Sequence, residues 1–445
     1  MGRSIFIPFL FCNLWIISPA LAQEQEGSGP RTIWNSTLWD SKGDVGLEIR
    51  EFENDGVVST QEHGLGVVSH LESLYKNEGT QLKARILGRV DKHDSSRDIL
   101  LLEDAYLSQE LGIENPYKLL MGYKIFNWSA TEAFHPADVI NSRNYDSNLE
   151  NLDKVGELTL EFSGPLLGGE LALYYWPRYE RPHFPGSRSH LGIGFDLQRP
   201  VFVDSNANED ISDRQGHQYG ARFDYKLGTA DIALFYLNHM DRLHPIVGET
   251  SYIYVPLVGY IPASMPTIPY FFTVQEFGGT VQYALGPAVL KAEASSRSFQ
   301  ENRVIYTVSG FKQPADHQEV AAGIEYTYAF DGGGETMLLG EATSYFGVDT
   351  PTRADQGIFQ RDAMLGMRFA LNDAAGREFF ASFILDLERS HEFFYNLKYT
   401  QRVGDSWQSS LGVRIYDAPM KGSSAVGLES LDGDNQIFLN LIRFF

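Results

Sequence analysis

The sequence predicts an all-β protein: a single antiparallel up-and-down barrel of about 18 strands (about 16 to 20) that crosses a membrane. Three observations lead there. Segments of roughly ten residues alternate apolar and polar side chains with the period of a strand. Their connections alternate between short turns and long loops. Beyond the N-terminal segment, no run of about 18 apolar residues offers a membrane helix.

The N-terminus has the three parts of a secretory signal. Arg3 supplies the charge, Ile5 to Ile17 an apolar stretch, and Ala20-Leu21-Ala22 a cleavage site. Residues 1–22 are therefore expected to be removed, 23–43 to form a short periplasmic segment, and 44–445 to form the barrel. The sole cysteine, Cys12, falls in the removed part, which excludes disulfide and thiolate chemistry from the mature chain. An exported chain without membrane helices is either soluble or a closed barrel, because backbone groups in lipid must all be paired. The formal net charge of −22 argues against nucleic acid, which needs clustered Lys and Arg. Abundant Tyr and Phe fit the aromatic girdles of a barrel, but a soluble sandwich could carry them too.

The cleanest alternation runs over Gly216 to Leu227. Tyr219, Ala221, Phe223, Tyr225 and Leu227 oppose Gln218, Gly220, Arg222, Asp224 and Lys226. Glu319–Phe330 and Gln81–Val90 repeat it. In order, the expected strands are Asp44–Phe52, Leu65–Tyr75, Thr80–Val90, Asp98–Ser108, Tyr117–Phe126, Gly156–Phe162, Gly169–Trp176, Gly216–Leu227, Thr229–Met240, Phe272–Leu285, Ala288–Ser298, Glu319–Phe330, Glu335–Phe346, Arg361–Leu371, Glu378–Glu388, Glu392–Arg402, Trp407–Tyr416 and Asn435–Phe445. Gly192–Asp196, a further alternating stretch, is assigned to a loop. Short connections include Lys76–Gly79, Ser163–Gly168, Gly228, Gly286-Pro287, Asp331–Gly334, Asn372–Arg377 and Val403–Ser406. Long ones include Asn127–Val155, Pro177–Gln215, Asp241–Phe271, Phe299–Gln318, Gly347–Gln360 and Asp417–Asp434. A sandwich has no reason to keep that parity.

Hydrocarbon solvates Arg and Glu poorly, so the apolar stripe should face lipid and the charged stripe the interior. The interior is then expected to be polar and wet unless loops fill it. Cationic lumen candidates are Lys83, Arg85, Arg89, Lys118, Lys124, Arg222, Lys226, Lys291, Arg297, Arg368, Lys398, Arg402 and Arg414. Acidic ones are Glu157, Glu161, Glu170, Asp224, Glu276, Glu293, Glu325, Asp386 and Glu392. Cations on the third and fifth strands face acids on the sixth and seventh, which would set up a transverse field. The bland alternative is that about half of these charges brace the wall. The long segment Trp128–Glu150 is a candidate constriction that brings Trp128, His135, Asp138, Arg143 and Asp146 into the lumen, or else a surface loop. Asp241–Phe271, with Tyr252, Tyr254, Tyr260 and Tyr270, is expected to pack over or into the barrel mouth as a lid or a ligand site.

The final strand, Ile437 to Phe445, ends on an aromatic residue with Ile437, Leu439, Leu441 and Phe445 on one face. It resembles the closing strand of bacterial outer-membrane barrels, from which Arg443 departs. Glu103-Asp104-Ala105-Tyr106-Leu107, Met121-Gly122-Tyr123-Lys124, Trp128–Glu132, Pro136-Ala137-Asp138 and Asn141–Tyr145 resemble a pattern of porin-like families, including alginate-export-like barrels. Tyr123, Lys124 and Ser129 depart from that pattern. The resemblance implies a transport barrel in the outer membrane of a Gram-negative bacterium. Implied partners are outer-membrane lipid and lipopolysaccharide, the barrel-insertion machinery through the strand ending in Phe445, and a small solute.

Enzymes also occur in this setting. Ser187-Arg188-Ser189-His190 and Ser69-His70 contain adjacent serine–histidine pairs, but neighbours on a strand point to opposite faces, which argues against their cooperation. No His/Cys/Asp spacing suggests a transition-metal site and no cofactor is expected. The acidic runs Asn208–Asp213 and Asp432-Gly433-Asp434 could hold Ca²⁺ or be solvated loops. The readings carried forward are a channel without catalysis, a barrel enzyme acting on envelope lipid, and a closed surface-binding barrel.

Overall fold

In the computed structural model the described residues are 34–35, 38–53, 61–112, 116–146, 152–192, 196–204, 209–211, 215–249, 252–262, 267–301, 303–307, 310–422 and 425–445. The expected export segment 1–22 and the side chains of 208–213 lie outside them.

Eighteen strands form one closed antiparallel barrel. They are β1 Trp39–Phe52, β2 His63–Asn77, β3 Thr80–Asp91, β4 Ile99–Leu111, β5 Tyr117–Lys124, β6 Glu157–Leu166, β7 Gly169–Arg178, β8 Gln215–Leu227, β9 Ala230–Met240, β10 Ile268–Leu285, β11 Ala288–Phe299, β12 His317–Ala329, β13 Glu335–Phe346, β14 Asp362–Ala370, β15 Glu378–Asp386, β16 Phe393–Val403, β17 Trp407–Asp417 and β18 Gln436–Phe444. Each pairs with the next, and β18 returns to β1 through Asp44↔Phe444 to Phe52↔Gln436. Gly43 and Phe445 continue that seam with two backbone hydrogen bonds of 2.9 Å. Closure leaves no unpaired strand edge in the wall, as a lipid environment requires.

Every strand expected from the sequence is present, with ends displaced by up to five residues. β1 starts at Trp39 rather than Asp44, and β10 at Ile268 rather than Phe272. β5 stops at Lys124, because the amide of Ile125 turns to the Asp104 carboxylate (3.1 Å) and that of Phe126 to the Asn141 side chain (2.7 Å). The expected turn Ser163–Gly168 shrinks to Leu167-Gly168, both at positive φ (50° and 83°), and Glu78-Gly79 repeats that geometry. Two such residues match the twist of a tight hairpin.

The faces sort as two solvents demand. Leu82, Tyr219, Ile324, Leu365, Leu411 and Ile437 stand exposed on the outside, while Arg89, Glu319, Asp362 and Arg414 on the same strands are buried inside. Arg443, the departure in the closing strand, is exposed on the outer face and lies over the Trp407 ring at 5.7 Å.

Long connections fill part of the interior, the condition under which the alternation does not leave it wet throughout. Phe134, Tyr145 and Leu191 from long connections pack against Leu339, Met364, Ile384, Phe394 and Tyr416 from β13 to β17. Ile358, Phe359, Leu428 and Leu431 complete this internal core. The lid expected of Asp241–Phe271 is corrected in part. Its first residues, Asp241, Arg242 and Leu243, are buried, but the hairpin of Tyr252–Val255 and Gly259–Pro262 stands out, with Ile253, Tyr254, Val258 and Tyr260 exposed.

Candidate functional site

The segment between β5 and β6 crosses the interior. Its base is clamped by Asn141, whose side chain accepts from the Phe126 amide and donates to the Lys124 (3.1 Å) and Val155 (2.9 Å) carbonyls. One amide thereby satisfies both stems, which would otherwise bury unpaired backbone groups. Above it lies a charged knot. Asp138 accepts from Lys154 (2.6 Å) and Arg143 (3.0 Å), and Lys154 also donates to the Phe126 carbonyl (2.6 Å). Burial opposes ionisation of Asp138, but Lys154 and Arg143 outweigh it and hold its carboxyl below the usual range. Burial pulls Lys154 down to about 8, against the attraction of Asp138.

The tip of the segment is fastened to the far wall. Ser129 donates to Glu293 of β11 (2.9 Å), as does the Thr131 hydroxyl. The amides of Glu132 and Ala133 donate to the two oxygens of Glu341 on β13 (2.6 and 2.7 Å). Glu132 pairs with Lys291, which also holds Glu325 at 2.8 Å. β11 and β13 lie six and eight strands round from β5, so the segment spans nearly a full diameter. Between base and tip, Trp128 packs on Tyr174 (5.5 Å) and Phe235 (5.4 Å), with Arg222 over its ring at 5.0 Å. The His135 side chain is almost wholly covered beneath the tip, and that burial drops its pKa to about 3, so its ring is neutral.

On the near side, a cavity of about 240 Å³ lies between the segment and the wall of β2 to β5. His70, Lys83, Arg85, Glu103, Asp104 and Lys124 line it. Its charges are matched locally: Lys83 with Asp104 (2.9 Å), Arg85 with Glu103 (2.7 Å), and Lys124 with Glu161 (2.6 Å). The cationic and acidic walls expected to oppose one another are thus interleaved. Acids stand beside cations on adjoining strands, because side-by-side pairing recovers more of the desolvation cost than separation would.

Most of the other expected lumen residues on β3 to β14 fall into three groups. Arg89 is buried against Glu48 (3.2 Å) and Asp153 (3.2 Å). Glu157 grips Arg242 through two bonds of 2.7 and 3.1 Å and so anchors the loop after β9, and Arg297 is buried among Glu276, Asp241 and Glu319. Lys118, Glu170, Asp224, Lys226 and Arg368 sit toward the short-turn end. There Arg222 forks onto Asp224 (2.8 Å), Arg368 meets Glu378 (2.7 Å), and Lys118 lines a second cavity of about 400 Å³. Arg143 and Asp146 are buried, with Asp146 facing Arg97 at 3.7 Å. Glu341, Lys154 and Arg97 escaped the sequence reading. Glu341 sits on an inward face whose neighbours Met337, Leu339 and Tyr345 are apolar, so its strand showed no charged stripe.

No protein-family model and no curated protein matches the chain. Solved structures do align with it. OccK3 (OpdO) of Pseudomonas aeruginosa aligns at 13% identity over 92% of this chain and 95% of that one, with a TM-score of 0.48. OmpF of Salmonella typhi, solved in complex with daunomycin, aligns at 10% identity over 93% and 100%, with a TM-score of 0.46. A mutant of the Rh. blastica porin aligns at 10% identity over 92% and 100%, with a TM-score of 0.38. At such identities and TM-scores the alignments carry no statement about role, and the closed antiparallel barrel rests on this chain's own strand pairing.

Proposed function

We propose that this barrel is a channel in the outer membrane of a Gram-negative bacterium, passing small polar or charged solutes, and that it performs no covalent chemistry. The observation that carries this reading is the segment after β5. It crosses the interior, narrows it, and leaves a charged cavity of about 240 Å³ along the near wall. In this reading that cavity is one stretch of the solute's path, and a path lined by both signs of charge favours polar solutes over apolar ones of equal size.

The hydrolase alternative has one observation in its favour. Ser129 Oγ lies 2.6 Å from His135 Nδ1, the contact a nucleophile and its base would make. The pair lies half-buried under the segment's tip, and the serine's single proton is directed to Glu293 (2.9 Å) instead of to the imidazole. Its imidazole, held at a pKa of about 3, is too weak a base to activate a hydroxyl near neutral pH. Ser129 and His135 therefore act as part of the tip's fastening.

Planar-bilayer recording tests the channel. The wild-type barrel should give a steady, ion-selective pore. Glu341→Gln removes one carboxylate oxygen from the two amides it receives and should raise the mean conductance and its noise. A folded barrel that never conducts, in either form, would leave the closed surface-binding reading.

A further inference from the structure

Three lone-pair atoms converge where the connection after β9 meets β12. His317 and Glu319 are two residues apart on β12 and share its inward face. His244 comes from the connection. His317 Nε2 is 3.1 Å, and His244 Nε2 3.5 Å, from the same Glu319 Oε1. One ligand atom from each of the three lies within 4.8 Å of the other two.

The remaining ring nitrogens are committed elsewhere. His317 Nδ1 is 2.8 Å from the Ala315 carbonyl, and His244 Nδ1 is 2.7 Å from the Asp241 carboxylate. Both partners can only accept, so each Nδ1 donates; each Nε2 in turn faces Glu319 Oε1, which also only accepts, so two imidazoles and a carboxylate converge on one point. Two contacts run the other way, and geometry disposes of them. Gln356 Nε2 stands 3.4 Å from His317 Nδ1, longer than the carbonyl contact. Arg297 Nη1 is 2.5 Å from His244 Nδ1 but only 3.3 Å from Nε2. A donor on the in-plane lone pair of Nδ1 would be much farther from Nε2, so this guanidinium lies over the ring face.

Charge points the same way. Asp241, Glu276 and Glu319 surround Arg297 at 3.5, 3.5 and 3.3 Å. His239 lies 2.9 Å from Glu276. Three carboxylates thus crowd one buried guanidinium. Buried charge is paired or holds a metal.

We propose that His244, His317 and Glu319 bind a divalent transition-metal ion of the zinc class. Two imidazoles and one carboxylate suit such an ion rather than Mg²⁺ or Ca²⁺, which prefer oxygen alone. Asp241 and the Ala315 carbonyl orient the rings from behind, the usual outer shell of a metal-binding histidine. Of the three, His244 alone lines a cavity of about 320 Å³, bounded by Pro245, Phe299, Lys312, Thr352 and Gln356. The ion ties the connection after β9 to the β12 wall. None of this depends on whether the barrel conducts.

The test uses the full-length folded barrel in detergent, stripped with a chelator. Titration with Zn²⁺ by calorimetry should give one ion per chain, and Co²⁺ should develop the visible absorption of a low-coordinate site. His317→Ala and Glu319→Gln should each weaken binding by about 100-fold or more, while His190→Ala, a buried histidine elsewhere in the barrel, should leave it unchanged. Zn²⁺ should also protect His244 of the wild type from diethyl pyrocarbonate, a readout that needs no variant to fold. Absence of saturable binding and of protection in the wild-type barrel would overturn the proposal, as would binding that survives both substitutions in folded protein.

Discussion

Asp138 shows how one side chain settles the course of a whole connection. It is buried, so its charge is tolerated only because Lys154 and Arg143 meet it. Asp138→Ala would strand both cations in the interior. Breaking a buried pair by removing one member costs about 3–5 kcal/mol, and thermal unfolding in detergent should reveal a loss of that order. The group also predicts a pH dependence. A carboxyl whose folded pKa is lowered binds its proton more weakly folded than unfolded. Its stabilisation is therefore complete above the ordinary carboxylate range, near pH 4, and is lost as pH falls below it. Melting temperatures of wild type and Asp138→Asn should converge as the pH is taken below 4, about the unfolded value. A constant gap between them would deny the lowered pKa. His70, Lys83 and Arg85 face the cavity as the alternation implies, but their partners Asp44, Asp104 and Glu103 sit on neighbouring strands. Register supplies those partners, and a single strand's pattern does not reveal it.

The strands themselves were legible because each had to satisfy two environments at once. β8 and β12 read clearly, since lipid selected one stripe and polar surroundings the other. β13 read as a strand but concealed Glu341, because its inward face meets the apolar tip of the crossing segment as well as its amides. β5 carries a further constraint. Gly122 has φ of 133°, and a Cβ there would stand 2.2 Å from the Ala105 carbonyl oxygen and 2.7 Å from Tyr106 Cα. The obstruction is backbone and cannot step aside. Gly122→Ala should therefore part β4 from β5 above the cavity, and the fraction of heat-modifiable, barrel-form protein on a gel should drop sharply. A variant that folds to the wild-type yield would show that β5 relaxes around the added methyl.

Across the whole molecule, an apolar outer skin encloses a charged and partly apolar filling. Leu365 lies near the midpoint of β14 on the outer face, between Gly340 and Phe383 of the adjoining strands. An arginine near the bilayer midplane costs about 2–4 kcal/mol. Leu365→Arg should lower stability by that amount in urea titrations of the bilayer-inserted barrel, and Leu365→Phe should change it little. Equal tolerance of both would mean that the skin does not face hydrocarbon. The same scale explains what the sequence reading left open. A tall barrel of eighteen strands has an interior wide enough for water or for protein, and the alternation of its wall is compatible with either. Long connections after β5, β7, β9, β13 and β17 occupy it here, with their own apolar residues.

Strand number, strand order and the orientation of each face were decided by the linear chain, because period-two alternation and the parity of turns and loops are local properties enforced by the surrounding solvent. What fills the barrel was decided only in three dimensions. Ser129 meets Glu293, Ala133 meets Glu341, and His244 meets Glu319 across long stretches of sequence. Such partners depend on how far round the wall each strand lies and on how deep each loop descends, and no local periodicity records either.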